Sequence, residues 1–138
     1  MTHNTLRACA VLLCALLPPS TRAAYAGEDA AGHDVLVSRD ASGRVQSRTI
    51  LNADGSRHVV SNQYWAESQV VRLSVEEDLD RTGRPTRRSI QEFDDRGRPL
   101  ERRTVSIDAT GKEHGISRTR FTYDAQGRSS ETTSPLGR

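Results

Sequence analysis

The chain has few of the residues from which a conventional core is built. Its 138 residues include one tryptophan, three tyrosines, two phenylalanines and a single lysine, and both of its cysteines, Cys9 and Cys14, lie near the N-terminus. Beyond Ala26, large apolar residues make up roughly a fifth of the chain, close to the composition at which globular folding fails. These shortages exclude a disulfide scaffold and a thick two-layer core. A thin repeat structure, folding on a partner, and partial disorder remain as alternatives.

The segment 1–26 has the order of a secretory signal peptide. A short stretch with one basic residue precedes an apolar run over 8–17, and Pro18 and Pro19 end that run. Ala24 and Ala26 then place small residues three and one positions before a cut. This order predicts export to the periplasm or beyond the cell, with cleavage after Ala26. A membrane-spanning helix needs about 20 apolar residues, which this run does not supply.

Charge is balanced in the predicted mature part. The range 27–138 carries as many basic as acidic side chains, interspersed along the chain, and nearly all of the basic residues are Arg. Nucleic acids and anionic membranes attract clustered positive charge. The composition therefore predicts a solvated surface of mixed sign and no nucleic-acid partner.

A turn-like pentapeptide recurs along the chain. It begins with Asp or Asn and has Gly at its fourth position. An Asp side chain can cap the N–H groups of a type I turn, and Gly accepts the positive φ that closes it. We therefore assign a structural turn role to Asp40, Gly43, Gly55, Asp80, Gly83, Asp94, Gly97, Asp108, Gly111, Asp124 and Gly127. The spacing also predicts a turn without Gly near 66–69.

Strand-like alternation precedes these turns. Val105 and Ile107 alternate with Thr104 and Ser106, the period-2 pattern of a half-buried strand. The sequence therefore predicts an all-β antiparallel meander of β-hairpin repeats after a cleaved signal peptide. The predicted boundaries are a signal peptide at 1–26, a disordered mature N-terminus at 27–34, a β-hairpin repeat domain at 35–133 and a disordered tail at 134–138.

The segment 115–128, GISRTRFTYDAQGR, resembles the YD repeat of the RHS family. In that repeat a Gly, an Arg and an aromatic residue lead into Tyr-Asp-x-x-Gly-Arg, and the matching positions here are Gly115, Arg120, Tyr123, Asp124, Gly127 and Arg128. The resemblance covers about 35–133 and implies a β-hairpin repeat. RHS proteins wind long arrays into a shell around a toxin, and this chain is far too short for that. A weaker similarity, through 111–115, is to the MORN-like repeats of some antitoxin and immunity-type proteins.

Motifs that carry chemistry are missing from the sequence. His3 lies in the predicted signal peptide, and the other three histidines lie far apart, with no Cys or second His near any of them at zinc-ligand spacing. The acidic run 76–80 lacks the ligand order of an EF-hand. No nucleophile motif or phosphate-binding glycine loop is present. We therefore expect no enzyme activity, no metal site and no cofactor.

Tyr64 and Trp65 form the only pair of adjacent aromatic residues, and they stand where the repeat loses its Gly. Aromatic and Arg residues are favoured at interaction hot spots. Two interpretations remain open: a site that binds a partner, or side chains that fill the gap left by the altered turn. The pairs Arg87-Arg88 and Arg102-Arg103 either form a ladder on one face or pair with Glu92 and Glu101 across strands.

The expected function is that of an exported, non-catalytic protein-interaction module. Its partner would be another protein, engaged through an open sheet face or an edge strand. The two resemblances favour an immunity or accessory role beside a secreted toxin. The alternative is a cell-envelope structural or carbohydrate-binding module, in which Tyr64 and Trp65 stack on sugar rings.

Overall fold

The computed structural model describes residues 22–28 and 32–136. They form one antiparallel sheet of nine strands, in which each strand pairs with its neighbours in the sequence. The strands are β1 (Arg22–Glu28), β2 (Asp34–Arg39), β3 (Val45–Leu51), β4 (Arg57–Tyr64), β5 (Val71–Leu79), β6 (Pro85–Phe93), β7 (Pro99–Ile107), β8 (Glu113–Tyr123) and β9 (Ser129–Pro135). The predicted all-β meander is confirmed. Within the described part of the chain, no helix has the length and apolar character needed to cross a membrane.

Turns with one shared hydrogen-bond pattern join most of the strands. The Gly N–H donates to the carbonyl of the first turn residue, whose own N–H donates to the carbonyl of the fifth. This pattern is shared by the turns 40–44, 52–56, 80–84, 94–98, 108–112 and 124–128. Their glycines have φ between 77° and 86°, a backbone conformation that other residues resist. The turns thus lie where the sequence pattern predicts them.

Consecutive turns alternate between the two ends of the sheet, because the strands run antiparallel in sequence order. At one end, which we call the aromatic end, the turns follow Arg39, Tyr64, Phe93 and Tyr123. At the other, the aliphatic end, they follow Leu51, Leu79 and Ile107. The turns of one end therefore recur only at every second turn of the chain, as the glycines of the aliphatic end do. The structural repeat is thus a hairpin of two strands with two turns, whereas the sequence pattern repeats once for each turn.

The sheet has almost no buried interior. Among the described residues, the buried apolar side chains are Val35, at 6% exposed, and Val105, at 2%. Thr104 and Thr119 are buried with them, and the hydroxyl of Thr119 lies 2.9 Å from that of Thr133 on β9. The thin core follows from the scarcity of large apolar residues. Backbone hydrogen bonds between strands consequently contribute a larger share of the stability than they do in a layered domain.

The strands of the full chain extend past both predicted domain boundaries, and the disorder predicted for 27–34 of the mature chain stays a prediction. Gly27 and Glu28 lie in β1 and pair with β2, although the sequence predicts disorder over 27–34. Residues 134–135 belong to β9 rather than to a disordered tail. Strand pairing satisfies backbone N–H and C=O groups without burying side chains, so the polar composition of these segments does not reveal it. Residues 1–21, 29–31 and 137–138 lie outside the described residues, and the predicted cleavage after Ala26 stays a prediction.

Candidate functional site at the aromatic end of the sheet

Tyr64 and Trp65 end β4 and begin a turn that differs from the others. The Trp65 N–H donates to the carbonyl of Val70 at 3.0 Å, and the Ser68 N–H donates to the carbonyl of Trp65 at 2.8 Å. Ala66 takes a positive φ of 32°. The turn predicted near 66–69 is present, one residue longer than the other turns. Trp65 occupies the position that Asp holds in the regular copies.

Two side chains bond the backbone of this turn, which has no carboxylate cap. Arg44 donates through Nη1 to the carbonyl oxygens of Ala66, at 2.9 Å, and Ser68, at 2.8 Å. The Ser68 hydroxyl accepts the N–H of Val70 at 3.0 Å. Arg44 also donates to Asp40 in its own turn, at 2.6 Å. One guanidinium thus links two turns of the aromatic end.

The aromatic end repeats one Arg–Tyr arrangement twice. The Arg44 guanidinium lies 4.7 Å from the centre of the Tyr64 ring, and the Tyr64 hydroxyl donates to the carbonyl of Val45 at 2.8 Å. The same contacts join Arg98, Tyr123 and Pro99: the guanidinium lies 4.5 Å from the ring centre, and the hydroxyl donates to the Pro99 carbonyl at 2.6 Å. Tyr64 therefore has the position of the repeat tyrosine. Its ring and hydroxyl are both used within the sheet, which favours the packing interpretation for this residue.

Trp65 differs from Tyr64, because its side chain remains open to solvent and the residue is 37% exposed. The indole N–H donates to the carbonyl of Phe93 at 3.3 Å, which fixes the orientation of the ring. The Arg72 guanidinium lies 6.0 Å from the ring centre and donates to Gln63 at 2.7 Å. The side chains of Trp65, Arg72, Leu73, Glu92, Phe93 and Leu100 line a cleft of about 270 Å³, which we call the Trp65 cleft.

The lining of the Trp65 cleft is mostly apolar and includes Glu92, an acid without an ion-pair partner among the residues that the structure describes. Leu100, at 40% exposed, is a second large apolar side chain open to solvent in the same cleft. Glu92 makes no hydrogen bond or ion pair within the described residues, and its register partner across the strands is Glu101. Exposed apolar side chains flanked by one carboxylate and the Arg72 guanidinium suit an apolar group that lies next to polar or charged groups.

A second cavity marks the point where the Arg–Tyr arrangement is interrupted. Val70 stands where the other turns have Arg44 and Arg98, and Phe93 stands in the tyrosine position. Both residues line an open cavity of about 370 Å³, together with Asn62, Val71, Ser74 and Gly97. The middle copy of the arrangement thus has neither a guanidinium nor a phenol hydroxyl.

Charged side chains form an ion-pair network on one face of the sheet. Glu77, Arg88 and Val105 are register partners on adjacent strands and so share this face. Arg88 pairs with Glu77 at 2.7 Å and with Glu113, and Arg103 lies 3.1 Å from the same Glu113.

Glu101 continues the ion pairs on β7 and β8, at 3.0 Å from Arg118 and 3.1 Å from Arg120. Arg102 donates to Gln91 instead, at 2.7 Å. The predicted cross-strand pairing of Arg87-Arg88 and Arg102-Arg103 with Glu92 and Glu101 is therefore wrong. The observed partners are Glu77 and Glu113 for Arg88, Glu113 for Arg103 and Gln91 for Arg102.

The turn aspartates accept hydrogen bonds from the backbone of their own turns. Oδ1 of Asp80 accepts the N–H groups of Thr82 and Arg84 at 2.8 and 3.0 Å. Both contacts have counterparts in the turns that begin at Asp40, Asp94, Asp108 and Asp124. The hydroxyl of Thr82 and these N–H groups lower the pKa of Asp80 to about 2.

The turn at 52–56 departs from this pattern. Its first residue is Asn52, whose amide donates to the Ser56 hydroxyl at 2.9 Å. The backbone N–H of Ser56 is capped instead by Asp54, at 2.9 Å.

The structure also identifies residues that the sequence patterns did not. The Arg that closes a turn bonds the Asp that opens it, as in Arg98 to Asp94 at 2.7 Å. Lys112 takes that position in the turn at 108–112, and there His114 approaches Asp108 at 2.8 Å instead. The recurring Asp-x-x-Gly-Arg spacing contained the signal for the first contact. Within residues 22–28 and 32–136, no three His, Cys, Asp or Glu side chains form a group that could hold a metal ion.

These features define a class of protein: a β-hairpin repeat sheet whose turns are joined by Arg, Asp and aromatic side chains. The RHS Repeat family matches the chain over residues 93–138. The RHS/YD-type resemblance is therefore confirmed over 93–138, the part of the chain that we call the RHS segment after this match. No curated protein matches the chain. The similarity to MORN-like repeats stays a prediction.

Proposed function

We propose that the protein is an exported, non-catalytic interaction module that binds another protein at the Trp65 cleft. The observation that carries the proposal is the meeting of Trp65 and Leu100, both open to solvent, in one cleft with Arg72 and Glu92. Exposed apolar side chains grouped in this way mark interaction sites more often than isolated ones do. Trp is also among the residues most enriched at binding hot spots.

The exposed apolar lining of the Trp65 cleft supports a protein partner. The cleft holds about 270 Å³, which leaves room for an apolar side chain presented by a larger surface. Glu92 would accept, and Arg72 would donate, hydrogen bonds to polar groups next to that side chain, because charged groups at the edge of an interface select partners with complementary groups.

The lining of the Trp65 cleft supports a role without catalysis. Arg72 and Glu92 are its two ionisable residues, and neither stands beside a nucleophile in the cleft. Export is supported by the signal-like order of the segment 1–26. An immunity or accessory role beside a secreted toxin is the form of this function that the RHS segment favours, by analogy within a repeat class.

Carbohydrate binding is the second candidate. An exposed indole flanked by a guanidinium and a carboxylate offers a stacking surface with hydrogen-bonding groups at its rim. The aliphatic side chains of Leu73 and Leu100 favour a protein side chain over a sugar ring, since they offer no hydrogen bonds to hydroxyls.

The test compares binding by the mature protein and by two matched variants. Trp65→Ala removes the centre of the cleft, and Ile116→Ala removes an exposed apolar side chain that does not line it. An envelope protein captured by the mature chain is purified, and its affinity for each form is measured by calorimetry. We expect Trp65→Ala to weaken binding at least about tenfold, equivalent to about 1.4 kcal/mol, and Ile116→Ala to leave it unchanged. Binding of a glycan lost in Trp65→Ala, with no protein bound, would reverse the ranking of the two candidates.

A further inference from the structure

The predicted cleavage site lies inside a strand of the sheet. β1 pairs with β2 from Arg22, opposite Arg39, to Glu28, opposite Asp34, and the register shifts between Tyr25 and Gly27. The bond predicted to be cut follows Ala26 and so falls at this irregularity. Cleavage there removes all of β1 except Gly27 and Glu28. Strands in folded proteins usually have at least three residues, so this remnant is too short to hold the edge.

Loss of β1 leaves β2 as an edge strand with an apolar centre. Its sequence runs Asp-Val-Leu-Val-Ser-Arg. Even with β1 in place, Leu36 is 42% exposed, while Val35 is buried. Protected edges usually carry a charge, a Pro or a bulge near the middle of the strand, and the middle of β2 has no charge and no Pro. At the opposite side of the sheet, all seven residues of β9 are exposed, and they are polar apart from Pro135.

We propose that a second copy of the mature chain covers this edge, through antiparallel pairing of β2 with β2 about a two-fold axis at Leu36. The inference rests on the export step of the proposed function and is independent of the Trp65 cleft. In the precursor, β1 occupies the same edge, so cleavage both frees the strand and permits the dimer. The pairing continues the sheet from one copy into the other.

The position of the axis follows from the geometry of a sheet. Residues directly opposite each other point to the same face, and a two-fold axis perpendicular to the sheet preserves faces. The axis must therefore pass midway between a residue and its own copy, so that this residue pairs with itself across the interface. An axis at Leu36 places Leu36 against Leu36 and Val35 against Val37.

The neighbouring positions for the axis give poorer pairs. An axis at Val37 would place Val35 against Arg39 and Asp34 against Asp40, two acids that face each other. An axis at Val35 would place Asp34 against Leu36. Leu36 is the one centre that keeps apolar residues opposite apolar residues and avoids like charges across strands, which destabilise a sheet.

The first experiment compares two forms of the protein by sedimentation equilibrium. The mature form, 27–138, is expected to have twice the monomer mass, and a form that keeps β1, 22–138, is expected to be a monomer. A mature form that stays monomeric up to about 100 μM would overturn the proposal. Open polymers would overturn it as well, because they would indicate pairing of β2 with a different strand such as β9.

The second experiment uses the absence of cysteine beyond Cys14. Leu36→Cys places two thiols opposite each other at the axis, where Cα atoms about 4.5–5.5 Å apart fit a disulfide. Thr132→Cys on β9 is the matched control, exposed on the other edge strand. We expect a covalent dimer from Leu36→Cys alone on mild oxidation. Equal cross-linking of both variants, or cross-linking of Thr132→Cys alone, would contradict the two-fold pairing.

The intact mass of the exported protein and the binding assay at the Trp65 cleft separate this inference from the proposed function. A protein recovered with the segment 1–26 attached would refute cleavage, and with it the route by which β2 becomes free. A correctly cleaved monomer that still binds its partner at the Trp65 cleft would refute the dimer alone.

Discussion

The guanidinium of Arg44 lies 4.7 Å from the centre of the Tyr64 ring, across two strands of the sheet. Arg44 also bonds Asp40 in its own turn and two carbonyl groups of the turn that follows Tyr64. A single half-buried side chain thus holds together two turns that are separated in the sequence by two complete strands. Because the core is thin, contacts between turns contribute to the cooperativity of the sheet.

Arg44→Ala should consequently destabilise the protein more than the equivalent change in the last turn. The Arg44 side chain is 15% exposed and makes four contacts, whereas that of Arg128 is 79% exposed and bonds Asp124 alone. We expect Arg44→Ala to lower the free energy of unfolding by about 2 kcal/mol, from lost hydrogen bonds and the cation–π contact. Arg128→Ala should change it by no more than about 0.5 kcal/mol. Urea unfolding followed by circular dichroism measures both, and equal effects would refute the linking role of Arg44.

Two glycines with the same backbone conformation should respond differently to Val. A Cβ on Gly111 meets nothing within 4 Å, so Gly111→Val carries only the cost of a left-handed backbone, about 1–2 kcal/mol. A Cβ on Gly97 lies 3.6 Å from Val70, and the branched methyl groups of Val reach further into that contact. Gly97→Val should therefore cost more than Gly111→Val, as thermal unfolding of the two variants would measure.

Asn at the same two positions is the control, because Asn accepts a positive φ more readily than Val does. Gly111→Asn should melt close to the parent protein. If Gly111→Val melts there as well, the left-handed conformation of this turn is not required for stability.

The turn aspartates should make stability depend on acid. The Thr82 hydroxyl and two backbone N–H groups lower the pKa of Asp80 to about 2, and the approach of His114 lowers the pKa of Asp108. A carboxyl group whose pKa is lower in the folded chain stabilises the fold above its unfolded pKa, near 3.9, and loses that contribution as the pH falls through the folded pKa. The melting temperature should therefore fall between about pH 4 and pH 2.

Asp80→Asn isolates the contribution of one turn to this acid dependence. At pH 6 the variant lacks the charge that its turn bonds, so it should melt below the parent. Near pH 2 the parent carboxyl begins to protonate, and the difference in melting temperature should shrink. A difference that stays constant from pH 6 to pH 2 would show that the charge of Asp80 is not what stabilises the turn.

Local chemistry explains how much of this structure the sequence could predict. The turn at 108–112 depends on Asp108 and Gly111, and both are recognisable from their spacing. The role of Tyr64 depends on Arg44, which contacts its ring only after β3 and β4 have paired. The turn that begins at Trp65 has one additional residue, so its sequence does not align with the other turns and does not show that Trp65 takes the Asp position. β1 could not be predicted, because Arg22–Glu28 spans the end of a signal-like segment and has no strand alternation. Contacts between residues of the same turn were predictable from the sequence, and contacts between different turns were not.

The interrupted copy at the aromatic end allows the Arg–Tyr arrangement to be tested by restoring it. Val70 and Phe93 hold the positions of Arg and Tyr, and the open cavity of about 370 Å³ that they line leaves room for a guanidinium. In the double variant Val70→Arg/Phe93→Tyr, the new guanidinium can stack on the new phenol ring. The hydroxyl can then donate to the carbonyl of Val71, as Tyr64 does to Val45.

We expect the two substitutions to be coupled. Each alone adds a polar group without its partner and should leave stability unchanged or lower it, while the double variant should be more stable than the sum of the single effects by about 1 kcal/mol. A double-mutant cycle measured by urea unfolding gives the coupling directly. The same cycle at Arg98 and Tyr123, truncated to Ala and Phe, provides the natural reference. Additive effects at positions 70 and 93, alongside coupling at 98 and 123, would show that the longer turn at 65–70 has moved Val70 out of reach of the ring.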